Sequence, residues 1–167
     1  MKIKTKKIVL AALMAALTCI ATMIINIPSP LKGYLNLGDC VVLITGWILP
    51  PAVSFFAAGL GSALADILSG YLIYAPITFL IKGCMAIIAF HCFKLLHKKS
   101  SILASRIIGG FASEMIMIVG YYLFEGILYG YVSSAVNIPG NCVQGAAGLV
   151  LGVILIKILE KSKISFG

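Results

Sequence analysis

Six apolar runs, separated by prolines, glycines and lysines, occupy nearly the whole of this 167-residue chain. They cover about 7–26, 37–49, 52–71, 76–96, 102–129 and 139–159, and the second is short, closing at Pro50-Pro51. A helix that crosses lipid needs about 20 apolar residues. Proline stops such a helix because it lacks an N–H and clashes with the preceding turn. The runs leave no room for an extramembrane domain, so we expect one all-α membrane domain over 1–167 with six transmembrane helices. Composition agrees, with 61% of residues hydrophobic and 11% charged, against about 25% charged in soluble domains. The stretch from Ile8 to Ile25 exceeds a secretory signal core of about 7–15 residues and is read as a retained first span.

The formal charge of +8 does not point to nucleic acid, because the basic residues stand at the ends of apolar runs and form no amphipathic face. With both termini cytoplasmic, the inside holds Lys2, Lys4, Lys6 and Lys7, then Lys94, Lys98, Lys99 and Arg106, then Lys157, Lys161 and Lys163. Lys32 alone falls outside, and Lys82 lies within a run. Cytoplasmic loops carry the excess of Lys and Arg, so this orientation is expected, with the 26–38, 71–76 and 128–139 connections facing outward. Reversing it, or using five spans, strands a basic cluster outside. The five cysteines form no CxxC pair and have no metal-like spacing with His91 or His97. Within apolar segments cysteine acts as a small hydrophobe, and neither metal nor cofactor is expected.

Helical rise converts position into depth. At 1.5 Å per residue, Asp66 lies about 7 Å below the outer end of the third run and Lys82 about 9 Å below that of the fourth. Asp39 begins the second run, Glu125 nears the outer end of the fifth, and Asn141 and Gln144 occupy the first turns of the sixth. Ionisable groups cost several kcal/mol in lipid and persist where they face protein or a polar ligand. Residues from five runs sharing one layer predict an outward-facing polar pocket. Its roof is the first loop, with Tyr34 and Asn36, and the uncharged loop GYVSSAVNIPGN. Asp66 and Lys82 also fit a structural ion pair, and Asp39 also fits a helix cap. Glu114 is deeper, with no obvious partner. Most outer aromatics fit an interfacial belt. Tyr74, between two pocket-bearing runs, is the first choice to stack on a flat ring.

The expected substrate contacts are therefore Asn36, Asp66, Tyr74, Lys82, Glu125, Asn141 and Gln144. Both charge signs together suit a neutral or zwitterionic ring. Pyridoxine-like or hydroxymethylpyrimidine-like ligands fit, riboflavin stays open, and a folate-like anion would want a second cation. Catalytic signals are absent: Gly59 to Ala63 matches neither GxSxG nor a phosphate loop, and there is no HExxH. The chain is not expected to be an enzyme. Ala11, Ala12, Ala15 and Ala16 make two overlapping AxxxA pairs. Small residues four apart admit another helix closely in lipid, and on the first run they are read as a partner-docking face.

Three stretches, AALMAAL at 11–17, GYLNLGDCVVLITGWILPP and GLGSALADILSGYLIYAPITFLIKG, resemble the S component of energy-coupling factor (ECF) vitamin transporters, of the riboflavin or hydroxymethylpyrimidine type. The resemblance covers most of the chain and departs from the family at Pro50-Pro51, where a Gly-Pro turn is more usual. It implies a six-helix subunit that captures a vitamin at the outer face of a plasma membrane. That subunit joins a transmembrane T component and two ATP-binding cassette ATPases, and topples to release substrate inside. The alanine face matches the family's docking surface for the T component, and with no Walker motif here, ATP hydrolysis falls to the partners. Two other classes make different demands. A self-sufficient transporter would carry polar residues through the inner halves of the third and fourth runs, which are nearly free of them. A structural membrane protein would need Asp66 and Lys82 for stability alone.

Overall fold

A computed structural model describes residues 5–31 and 33–162. Lys2, Lys4, Lys32 and Lys163 of the charge pattern lie outside the described residues. The helices are α1 (Thr5–Ile24), α2 (Gly38–Ile48), α3 (Pro51–Leu68), α4 (Ala75–Leu96), α5 (Ile102–Tyr129), α6 (Tyr131–Ser134) and α7 (Ile138–Lys161), with a 3-10 turn at Ala135–Asn137. A two-residue hairpin, β1 (Ile27–Pro28) against β2 (Tyr34–Leu35), ties the first loop into a flap over one end of the bundle.

Prolines start three helices as expected. Pro51, Pro76 and Pro139 stand at the first positions of α3, α4 and α7, where a missing N–H leaves no helical bond unmade. Ser101 caps α5 by accepting from Ala104 N at 3.2 Å. Gly130, at φ +89°, ends α5 in a conformation that side chains disfavour.

α1, α3, α4, α5 and the α6–α7 stretch are long and apolar enough to cross a membrane. α2 is not. Its 11 residues rise only about 16 Å, and all but Ile48 are buried. Among the described residues, the six expected runs correspond to five helices of crossing length plus one short helix packed inside the bundle. Leu43, Trp47, Leu49, Ala57 and Ile156 pack one side of the core, and Val42, Ala58, Met85 and Met117 the other. Outward faces carry Leu13, Phe56, Leu64, Ile108 and Phe111, the apolar surface that lipid requires.

Helix contacts are close where glycine permits. A Cβ on Gly61 of α3 would collide with the Ala15 carbonyl oxygen of α1 and lie 2.9 Å from Thr18 Cβ. Ala15 therefore serves internal packing as well as the surface. Beside that seam, Ile8, Ala11, Ala12, Ala15 and Phe56 line an apolar groove of about 430 Å³. Ala16 is exposed on the same helix but outside the groove. At the end of the bundle that carries Lys94 and Arg106, Arg106 clasps Glu160 through two bonds of 2.9 and 2.6 Å. Its guanidinium also lies over Trp47 and Phe93, at 5.7 and 5.2 Å from the ring centres.

Candidate binding site

The polar residues gather at the opposite end, where α1 and α3 finish and α4 and α7 begin. They line a narrow cavity that leaves about 30 Å³ free between the side chains. Every expected contact lines it: Asn36, Asp66, Tyr74, Lys82, Glu125, Asn141 and Gln144. Thr22, Ser29, Ser62, Thr78, Tyr121 and Asn137 line it too. Small hydroxyls are inexpensive inside helix bundles, and depth alone does not single them out. The signal available for Ser62 was its place one helical turn before Asp66 on the same face.

Lys82 does not pair with Asp66. It donates to Asp39 Oδ1, with both side chains almost wholly buried. Asp39 Oδ2 accepts from Gln144 Nε2 at 2.7 Å, and Gln144 Oε1 accepts from Asn36 N at 3.0 Å. Asp39 is therefore a strut between α2, α4 and α7, placed behind the cavity wall. The cap at the start of α2 comes from Asn36 instead, whose Oδ1 accepts from Gly38 N at 2.9 Å. Gly148 admits this arrangement, since a Cβ there would stand 2.7 Å from Asp39 Cβ. Glu114 lies behind the strut, against Gly145 and Gly148, and does not line the cavity.

Asp66 instead accepts from the Tyr34 hydroxyl at 2.6 Å, and the Tyr34 ring packs on Tyr71 with centres 4.5 Å apart. Burial first, then the Asp66 carboxylate, pushes the Tyr34 phenol well above its ordinary pKa. The hydroxyl stays protonated and able to donate. Tyr74 behaves alike: burial and then Glu125 raise its phenol, which donates to Glu125 Oε1 at 3.3 Å. Its ring meets Phe124 edge-on at 5.5 Å, so Tyr74 builds the polar wall as well as offering an aromatic surface.

Glu125 Oε1 and Oε2 each accept from Asn137 Nδ2 at 3.0 Å, and Asn137 Oδ1 accepts from Leu31 N at 3.3 Å. The first loop and the 130–137 segment are thus stitched together over the cavity. Thr78 and Tyr121 hydroxyls share a bond of 3.0 Å across α4 and α5. Among the described residues no cluster of three metal-ligating side chains occurs.

The comparisons agree with this architecture. A solved structure described as the S component of a bacterial ECF transporter superposes with a TM-score of 0.78 at 20% identity, covering 98% of this chain and 100% of that one. An uncharacterized protein from Pyrococcus woesei is 34% identical over 143 residues, 85% of this chain and 93% of the relative. The thiamine precursor transporter HmpT of Lactococcus lactis subsp. cremoris is 23% identical over 164 residues, 97% of this chain and 92% of the relative. The profile of ECF-type riboflavin transporter S components matches residues 2–161. This is a family of transporter subunits, with an all-helical membrane fold. The chain belongs to the ECF-type riboflavin transporter S component family.

Proposed function

We propose that this protein is the substrate-binding subunit of an ECF-type importer in the plasma membrane. It captures a monocyclic nitrogen heterocycle, a B-vitamin or precursor of the hydroxymethylpyrimidine or pyridoxine type, at the outer face. Both termini lie in the cytoplasm, which puts the Lys94–Arg106 end inside and the cavity outside. The observation that carries the reading is one cavity lined by polar side chains from α1, α3, α4, α5, α7 and the loops between them. HmpT, similar along most of its length, is named for a thiamine precursor.

Uptake needs partners, a transmembrane T component and two ATP-binding cassette ATPases. The groove between α1 and α3, with Ala11, Ala12 and Ala15, and the neighbouring Ala16 are the docking face. A second reading, riboflavin, is favoured by the name of the matching family. Isothermal titration of the detergent-purified protein with hydroxymethylpyrimidine, pyridoxine, thiamine and riboflavin tests both. One-to-one binding of a single-ring compound supports the reading. Tight binding of riboflavin alone replaces it, and no binding by any of the four overturns it.

A further inference from the structure

Three buried polar atoms lining the cavity have no hydrogen-bond partner in the protein: Asp66 Oδ2, Ser62 Oγ and Thr22 Oγ1. Their residues are 3%, 1% and 3% exposed. Leaving a buried polar group unpaired incurs its desolvation cost with nothing in return, and the loss is larger for a charged group. The remaining groups nearby are engaged. Tyr34 occupies Asp66 Oδ1, Thr78 is bonded to Tyr121, and Lys82 is bonded to Asp39. Ser62 and Asp66 lie one turn apart on α3, and Thr22 approaches from α1.

Resting on the reading above that the ligand is a single nitrogen heterocycle, we propose that Asp66 is the specificity-determining contact of this site. Asp66 Oδ2 accepts a hydrogen bond from a ring amino group, and the Ser62 and Thr22 hydroxyls complete the edge. A hydroxyl donates or accepts as the ligand requires, whereas an ionised carboxylate only accepts. The Tyr34 hydroxyl is spent on Oδ1, which leaves Oδ2 as the carboxyl atom open to a ligand. A carbonyl oxygen set against Oδ2 would oppose one acceptor with another. The site thus selects amino-substituted rings, neutral or protonated, over their carbonyl counterparts, and it disfavours anionic vitamins because Lys82 is already neutralised.

The test is a titration with two probes, hydroxymethylpyrimidine and the analogue in which a carbonyl oxygen replaces its amino group. Sites built to hydrogen-bond a substrate group reject the mismatched analogue strongly, and the wild type should favour the amino compound by about 100-fold or more. In Asp66→Asn the amide oxygen keeps the Tyr34 bond and the amide nitrogen takes the place of Oδ2. The preference should then reverse toward the carbonyl analogue. Ser62→Ala should weaken both probes and leave their ratio near that of the wild type. Equal binding of the two probes by the wild type overturns the proposal without touching the capture function, and this comparison needs no variant to fold. An Asp66→Asn protein with unchanged unfolding temperature and unchanged preference overturns it as well. If folded wild type binds neither pyrimidine, this proposal falls, and the single-ring reading falls with it only if pyridoxine also fails to bind.

Discussion

Lys82 of α4 gives its ammonium to Asp39 of α2, leaving Asp66 on α3 with a tyrosine hydroxyl for a partner. The exchange decides what the cavity presents. Had Lys82 paired with Asp66, the two charges would have cancelled on the cavity surface. Instead Asp39, behind the wall, neutralises Lys82 and holds Gln144, and Asp66 and Glu125 are the acids that remain on the cavity lining.

Removing one partner of a buried ion pair strands the other charge, at a cost of about 3–5 kcal/mol. Lys82→Met should therefore lower the unfolding temperature in detergent markedly. Lys82→Met combined with Asp39→Asn should recover much of the loss, because the stranded charge is gone. A single variant as stable as wild type would show that the strut carries no weight.

Tyr34→Phe removes the hydroxyl that holds the first loop onto α3. Hydrogen bonds to charged groups contribute about 1.5–3 kcal/mol, so ligand affinity should fall by roughly tenfold or more with the fold intact. The phenol's pKa is raised in the folded protein, which favours the neutral form. Its contribution is fully present below the unfolded value of about 10 and is lost only as pH climbs through the folded value. Phenolate absorbance near pH 10 should therefore be the same for wild type and Tyr34→Phe. A step missing from the variant would contradict the burial of this hydroxyl.

Gly61→Ala places a methyl against the Ala15 backbone, which has no rotamer with which to escape. Overpacking of this kind costs about 1–3 kcal/mol. The expected result is a lower unfolding temperature and a displaced α1. Unchanged stability would mean that α1 and α3 separate freely.

Ala12→Phe is expected to leave ligand affinity within about twofold of wild type, since Ala12 lies in the groove and away from the cavity. If the groove is the docking face, the same variant should fail to co-purify with the T component and ATPases. Assembly at the wild-type level would move the docking surface elsewhere.

Much of this was legible in the sequence because prolines and the charges at the ends of apolar runs punctuate helices by local physics. The expected run ends at 102 and 129 coincide with α5, and Pro50-Pro51 separates α2 from α3 where anticipated. Depth was legible too, since helical rise fixes it, and every residue of the polar layer named for binding reaches the cavity. Rotation about the helix axis was not. Position along a run cannot say whether Lys82 turns toward α2 or α3, and so Asp39 was missed as its partner. The hairpin at Tyr34–Leu35 and the turn holding Asn137 depend on loop-to-loop bonds with no periodic signal. Tyr121 was hidden by its type, as one of several outer aromatics that fit a belt equally well.

The most direct test of the central claim is native mass spectrometry of the protein purified in mild detergent from cells grown in rich medium. One small single-ring heterocycle per wild-type chain is expected, lost from a folded Asp66→Ala variant. An empty wild-type protein that also ignores added single-ring vitamins would contradict it, as would a ligand retained undiminished by Asp66→Ala.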